Sequence, residues 1–225
     1  QVLKGAAARL EAVRRTVGEN VDIGLDSHAR LFEPYKALEL AQAVAPYRPM
    51  FFEEPLRPEN IAAMGQLREK LPIPLATGEM LYTKYEFRDL IAARGADILQ
   101  PDIVLCGGLL EMRKIAAIAD THYVAMAPHN PNGAVGHSAT VQLAASVPNF
   151  LVLEYFPPES WRESVVSDSY AIEDGWLEIA DRPGLGIEFN EEEAAKRPYQ
   201  PVDLYDLHRK EFELHVPGFE EKPED

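Results

Sequence analysis

The feature that most restricts how this 225-residue chain can fold is a repeated unit, a short apolar run that ends on an ionisable side chain. Residues 21–25 end on Asp26, Met50-Phe51-Phe52 ends on Glu53, and residues 73–78 end on Glu79. Residues 98–101 then end on Asp102, residues 124–128 on His129, and residues 150–153 on Glu154. The end residues are 27, 26, 23, 27 and 25 positions apart, about the length of a strand, a helix and a return loop.

Helical patterns fill the gaps. In residues 2–17, Leu3, Ala6, Ala7, Leu10, Val13 and Val17 recur at helical spacing, and Gly18 follows as a C-cap. Further helices are predicted over 34–47, 60–71 (Asn60 as N-cap, Pro72 as stop), 84–94 (ended by Gly95), 109–121 and 137–147. The strand-like runs are apolar throughout and do not alternate, which marks a parallel sheet buried on both faces. Ionisable groups at the C-terminal ends of successive strands fit an α/β fold of the (β/α) TIM-barrel type, with about six βα units. A doubly wound sheet would need a glycine-rich phosphate turn, and Gly107-Gly108 alone is too weak a signal. The expected division is a partial barrel catalytic domain over 1–190 and a tail over 191–225. After Tyr155 the regularity stops: Trp161 and Trp176 bracket a polar stretch, 181–187 is turn-rich, 191–196 is a short helix, and the acidic 217–225 segment is expected to be disordered.

The net charge of −15 argues against a nucleic-acid partner or an anionic membrane surface. It is compatible with a cation site. One cysteine, Cys106, leaves no internal disulfide and suggests a reducing compartment. With no membrane span or leader segment in the sequence, a cytoplasmic location is expected.

Asp26, Glu53 and Glu79 would lie side by side on adjacent strand ends, where they repel one another unless a cation neutralises them. All-oxygen ligation favours Mg²⁺, with Mn²⁺ as an alternative. Glu54 should point away from this set and pair with a neighbour. Asp102 can hold the His129 tautomer and raise its basicity, making it a general base. His28, two residues after Asp26, would share its side of a strand and serve as a general acid. His122, His208 and His215 read as structural.

Asp26, Glu53 in Phe52-Glu53-Glu54-Pro55, Glu79 after Gly78, Asp102 and His129 together resemble the mandelate racemase group of the enolase superfamily. Within that group, His28, the Ala127-Pro128-His129-Asn130-Pro131 run, Glu154 and Arg182-Pro183-Gly184-Leu185-Gly186-Ile187 are similar to sugar-acid dehydratases of the galactonate type. Mannonate dehydratases share the last run but carry a basic residue at the Asp102 position. The resemblance implies a Mg²⁺-dependent hydro-lyase that binds an aldonic acid through its carboxylate. In it, His129 abstracts the C2 proton, His28 protonates the departing 3-hydroxyl, Glu154 bonds a substrate oxygen, and a 2-keto-3-deoxy acid results. It also implies a homo-oligomer. The family's capping domain and two earlier barrel strands are not in this sequence, so a piece of a larger molecule is expected, and residues 207–225 depart from the family ending. The alternatives are a racemase or epimerase with a second base on a missing strand, and a non-catalytic binding relative.

Overall fold

The computed structural model describes residues 2–156, 164–167, 172–179 and 181–198. The chain divides into two compact units, Gln1–Phe189 and Asn190–Asp225. In the first, helix α1 (Val2–Val17) precedes a regular series: β1 (Gly24–Asp26), α2 (Pro34–Val44), β2 (Phe51–Glu53), α3 (Ile61–Arg68) and β3 (Leu75–Thr77). It continues through α4 (Lys84–Ala92), β4 (Ile98–Leu99), α5 (Gly108–Thr121), β5 (Ala125–Met126) and α6 (Ala134–Ala144). The five strands form one parallel sheet in chain order. Asp26 pairs with Glu53 in register, so the first two acids end neighbouring strands together.

The helices bury the residues that their periodicity selects. In α2 these are Ala37, Leu40, Ala41 and Val44, and in α5 they are Met112, Ile115, Ala116 and Ala119. They pack on Phe52, Leu75, Leu99 and Met126, while Ala76, Ile98 and Ala127 form a second buried cluster. Burial of alternate strand residues in separate clusters is the two-faced environment expected of a parallel sheet. Gly65 in α3 is required by close packing, because a Cβ there would lie 2.2 Å from the Ala93 carbonyl oxygen.

Several boundaries differ from the sequence reading. The strands have only two or three residues, so Glu79, Asp102 and His129 lie on loops just beyond them. The run at 150–153 forms no strand. It docks by a single parallel bridge between Met126 and Phe150, with the Leu151 N–H donating to the Met126 carbonyl at 2.8 Å. At the end of α4 the left-handed residue is Arg94 (φ 52°), not Gly95. In α1, Val13 and Val17 remain exposed and Arg14 is buried instead. Its guanidinium donates to the carbonyls of Gly18 (2.8 Å), Val21 (2.6 Å), Tyr47 (3.0 Å) and Arg48 (3.2 Å), clamping α1 to the loops before β1 and β2.

Farther on, β6 (Val166–Ser167) pairs antiparallel with β9 (Glu188–Phe189), and β7 (Ile172–Glu173) with β8 (Trp176–Leu177). Asp174 and Gly175 both have positive φ (52° and 81°), as a tight hairpin turn requires. In the second unit, Asn190 caps the short helix α7 (Glu191–Ala195) by accepting the Glu193 N–H at 3.0 Å. Trp161, His208, His215 and the 207–225 segment lie outside the described residues. No described helix is long and apolar enough to cross a membrane.

Arg14→Ala leaves four carbonyls without their charged donor and should destabilise the fold by about 3 kcal/mol in urea unfolding. Arg14→Lys should recover little of this, because an ammonium cannot reproduce the fork. An unchanged midpoint for Arg14→Ala would contradict the clamp.

Candidate active site

The strand ends gather acidic groups on one rim. Glu53 is buried, and its carboxyl is pushed up to about 7, first by loss of water and then by the charges of Asp26, Glu154 and Glu79; a hydrogen bond from Gln100 partly offsets this. Burial also raises Glu79, where His129 and His28 act in the opposite direction to Asp26 and Glu154. Asp26, Glu53, Glu79 and Glu154 therefore act on one another electrostatically although they come from four segments of the chain.

His28 reaches this group by a turn and not by strand alternation. His28 and Ala29 both have left-handed φ (48° and 52°). The His28 N–H donates to Asp26 Oδ1 at 2.8 Å, and its Nε2 lies 2.5 Å from Asp26 Oδ2. The ring is 61% exposed, open to a ligand approaching from solvent.

Asp102 and His129 form a dyad. His129 Nδ1 lies 2.9 Å from Asp102 Oδ2, and its Nε2 faces Glu79 Oε2 at 3.5 Å. Burial opposes protonation of His129, but the Asp102 hydrogen bond and the charges of Glu79, Glu154 and Asp102 outweigh it and raise the imidazole. The buried Asp102 is held below the usual carboxylate range, because hydrogen bonds from His129, the Val104 N–H and Asn132 overcome the cost of its burial. Glu154 is anchored next to the dyad, its Oε2 accepting the Asn130 N–H at 2.7 Å.

The supporting residues were largely missed from sequence. Asn132 donates to both Asp102 oxygens at 3.1 and 3.2 Å. Asn130 Nδ2 donates to the Glu154 carbonyl at 3.0 Å and lies 2.8 Å from His137 Nδ1. Both asparagines stand in the loop after His129, where the run Asn130-Pro131-Asn132-Gly133 signals a turn and hides the role of its side chains. Glu54 does pair with a neighbour: its Oε2 accepts the Thr77 hydroxyl at 2.6 Å and the Gly78 N–H at 3.1 Å. Gly78, at φ 134°, has no room for a Cβ, which would meet Phe87 Cε1 at 2.8 Å.

As a donor set, Asp26, Glu53 and Glu79 suit a hard divalent cation: all oxygen, crowded, and acting on one another through their charges. Yet among the described residues no three acidic, imidazole or thiol groups already enclose a common point. Asp26 is engaged by His28, and Glu79 faces His129.

Residues 2–194 match the family model described as enolase C-terminal domain-like. The chain belongs to that family. It is 36% identical over 179 residues to D-xylonate dehydratase of Haloferax volcanii, covering 79% of this chain and 43% of that protein. It is 35% identical over 210 residues to D-galactonate dehydratase of Variovorax paradoxus, covering 90% and 55%. An enolase from Agrobacterium radiobacter, solved with sodium and L-malate bound, superposes with a TM-score of 0.85 at 40% identity, over 90% of this chain and 55% of that one. The chain thus spans about half the length of the curated relatives it matches. This family membership accounts for the barrel-type sheet and agrees with the resemblance drawn from the site residues.

Cys106 follows the dyad loop, with its N–H donating to the Asp102 carbonyl at 2.7 Å. Burial, aided by the Asp102 charge, pushes its thiol from 9.0 up to about 12. Above pH 9 the unfolded chain therefore releases this proton before the folded one does, so stability should fall as pH rises from 9 toward 12. Cys106→Ala should flatten that part of the pH–stability curve. A thiol-specific chromogenic reagent should react at neutral pH only after denaturation, and rapid reaction of the native protein would contradict the buried placement.

Proposed function

We propose that this chain carries the catalytic centre of a hydro-lyase that removes water from an aldonic acid. The reading rests above all on the His129–Asp102 dyad, whose Nε2 faces the acidic rim at Glu79. Relatives named for xylonate and galactonate dehydration support the substrate class. Bound L-malate in the Agrobacterium structure, a 2-hydroxy acid, is compatible with it.

In this reading Asp102 keeps the His129 Nδ1 proton in place, and His129 Nε2 takes the C2 proton of the substrate. The C2–H electron pair first delocalises onto the carboxylate as an enediolate, and then returns to form the C2–C3 double bond as the C3–O bond breaks. His28 gives its proton to the departing hydroxyl, which leaves as water. The enol then ketonises to a 2-keto-3-deoxy acid. Glu154, fixed by Asn130, bonds a substrate oxygen. Asp26, Glu53 and Glu79 would hold Mg²⁺, or Mn²⁺, whose charge would offset the negative charge developing on the substrate carboxylate. This requires Asp26 and Glu79 to exchange their present imidazole partners for the cation. A cytoplasmic homo-oligomer is the setting we propose, from the single buried cysteine and the family resemblance.

Incubating the protein with Mg²⁺ and D-xylonate, D-galactonate or D-gluconate should yield a 2-keto-3-deoxy acid from at least one of them. His129→Asn should lower kcat by about 100- to 10,000-fold and leave Mg²⁺ affinity unchanged. Exchange of the C2 proton without keto acid would favour a racemase or epimerase. Failure to bind Mg²⁺ at all would favour a non-catalytic binding relative.

A further inference from the structure

Glu54 has no part in the chemistry above, although it is 0% exposed and sits between two proposed ligand-bearing segments. Its contacts reach three strand ends. Its side-chain Oε2 accepts the hydroxyl of Thr77, the last residue of β3, at 2.6 Å, and the N–H of Gly78 at 3.1 Å. Its backbone N–H donates to the Ala76 carbonyl at 2.9 Å. Its carbonyl accepts the Ser27 hydroxyl at 2.9 Å and the Ala29 N–H at 2.8 Å, on the turn that presents His28 after Asp26.

We infer that Glu54 is a positioning residue that locks the ends of β1, β2 and β3 together, fixing the segments from which Asp26, Glu53 and Glu79 would close on a divalent cation. The inference rests on the metal-site reading of the preceding subsection. Each of the three ligand-bearing segments is bonded to Glu54 or directly adjoins it. Its φ of 39° lies in the left-handed region, which side chains other than glycine rarely adopt. That conformation accompanies a carbonyl bonded to the β1 turn and a carboxylate bonded to β3. Its other oxygen, Oε1, is buried with no hydrogen-bond partner among the described residues. One acceptor oxygen is therefore what the lock uses, and the negative charge is not essential to it.

The test is Mn²⁺ binding by the purified protein, read from the loss of the free-ion electron paramagnetic resonance signal. Glu54→Gln keeps one acceptor for Thr77 and Gly78, so its affinity should stay close to wild type. Glu54→Leu removes both side-chain bonds and Thr77→Val the shorter one, from the hydroxyl, and each should weaken Mn²⁺ about 10- to 100-fold, as loss of supporting contacts to metal ligands commonly does. The double variant should bind no more weakly than Glu54→Leu, because both changes remove one interaction. Wild-type affinity in Glu54→Leu and Thr77→Val would overturn the inference and leave the proposed function standing. Equal loss in Glu54→Gln and Glu54→Leu would also overturn it, by making the charge the requirement. Absence of Mn²⁺ binding in the wild type would refute the metal-site reading itself. If Glu54→Leu fails to fold, the near-isosteric Thr77→Val decides the matter.

Discussion

Parallel pairing in register is the constraint from which the site follows. When β1 to β5 pair in chain order, their C-terminal ends come to one rim, and Asp26 is brought directly opposite Glu53. Each helix returns the chain to the opposite edge, so every following loop contributes its ionisable group on the same side. The result is a crowd of carboxylates partly removed from water, and Glu53 shows the consequence in a carboxyl pushed up to about 7. Such crowding is costly on its own and is relieved when a cation or imidazolium shares the space. The His28 ring lies beside Asp26 and the His129 ring beside Glu79.

The strands themselves are too short to hold this arrangement. Two or three paired residues per strand leave the functional side chains on loops, and the precision comes from side chains that bond backbone across segments. Arg14 does this at the N-terminal side of the sheet by collecting four carbonyls. Glu54 does it at the acidic rim, and Asn132 does it for Asp102. Burying such polar groups is tolerable because they are bonded, and each bond joins parts of the chain far apart in sequence.

Strand order, helix positions and the identity of the rim groups were legible in the sequence because each leaves a periodic trace. Asn60 was readable as an N-cap for the same reason: its side chain accepts the Ala63 N–H at 3.0 Å. Three features were not legible. The turn that folds His28 onto Asp26 depends on left-handed backbone at His28 and Ala29, residues with no strong preference for it. The run at 150–153 has strand composition but makes only one bridge, so tertiary placement overrides its propensity. The asparagines at 130 and 132 have the composition of a turn, and only the assembled fold shows that they hold Glu154 and Asp102.

A crystal grown with Mn²⁺ and analysed by anomalous scattering tests the central claim most directly. The account predicts one strong peak at the strand ends, with oxygens of Asp26, Glu53 and Glu79 at about 2.0–2.2 Å and the His129 ring on its flank. A cation bound by other residues, with these three carboxylates turned away from it, would contradict the account.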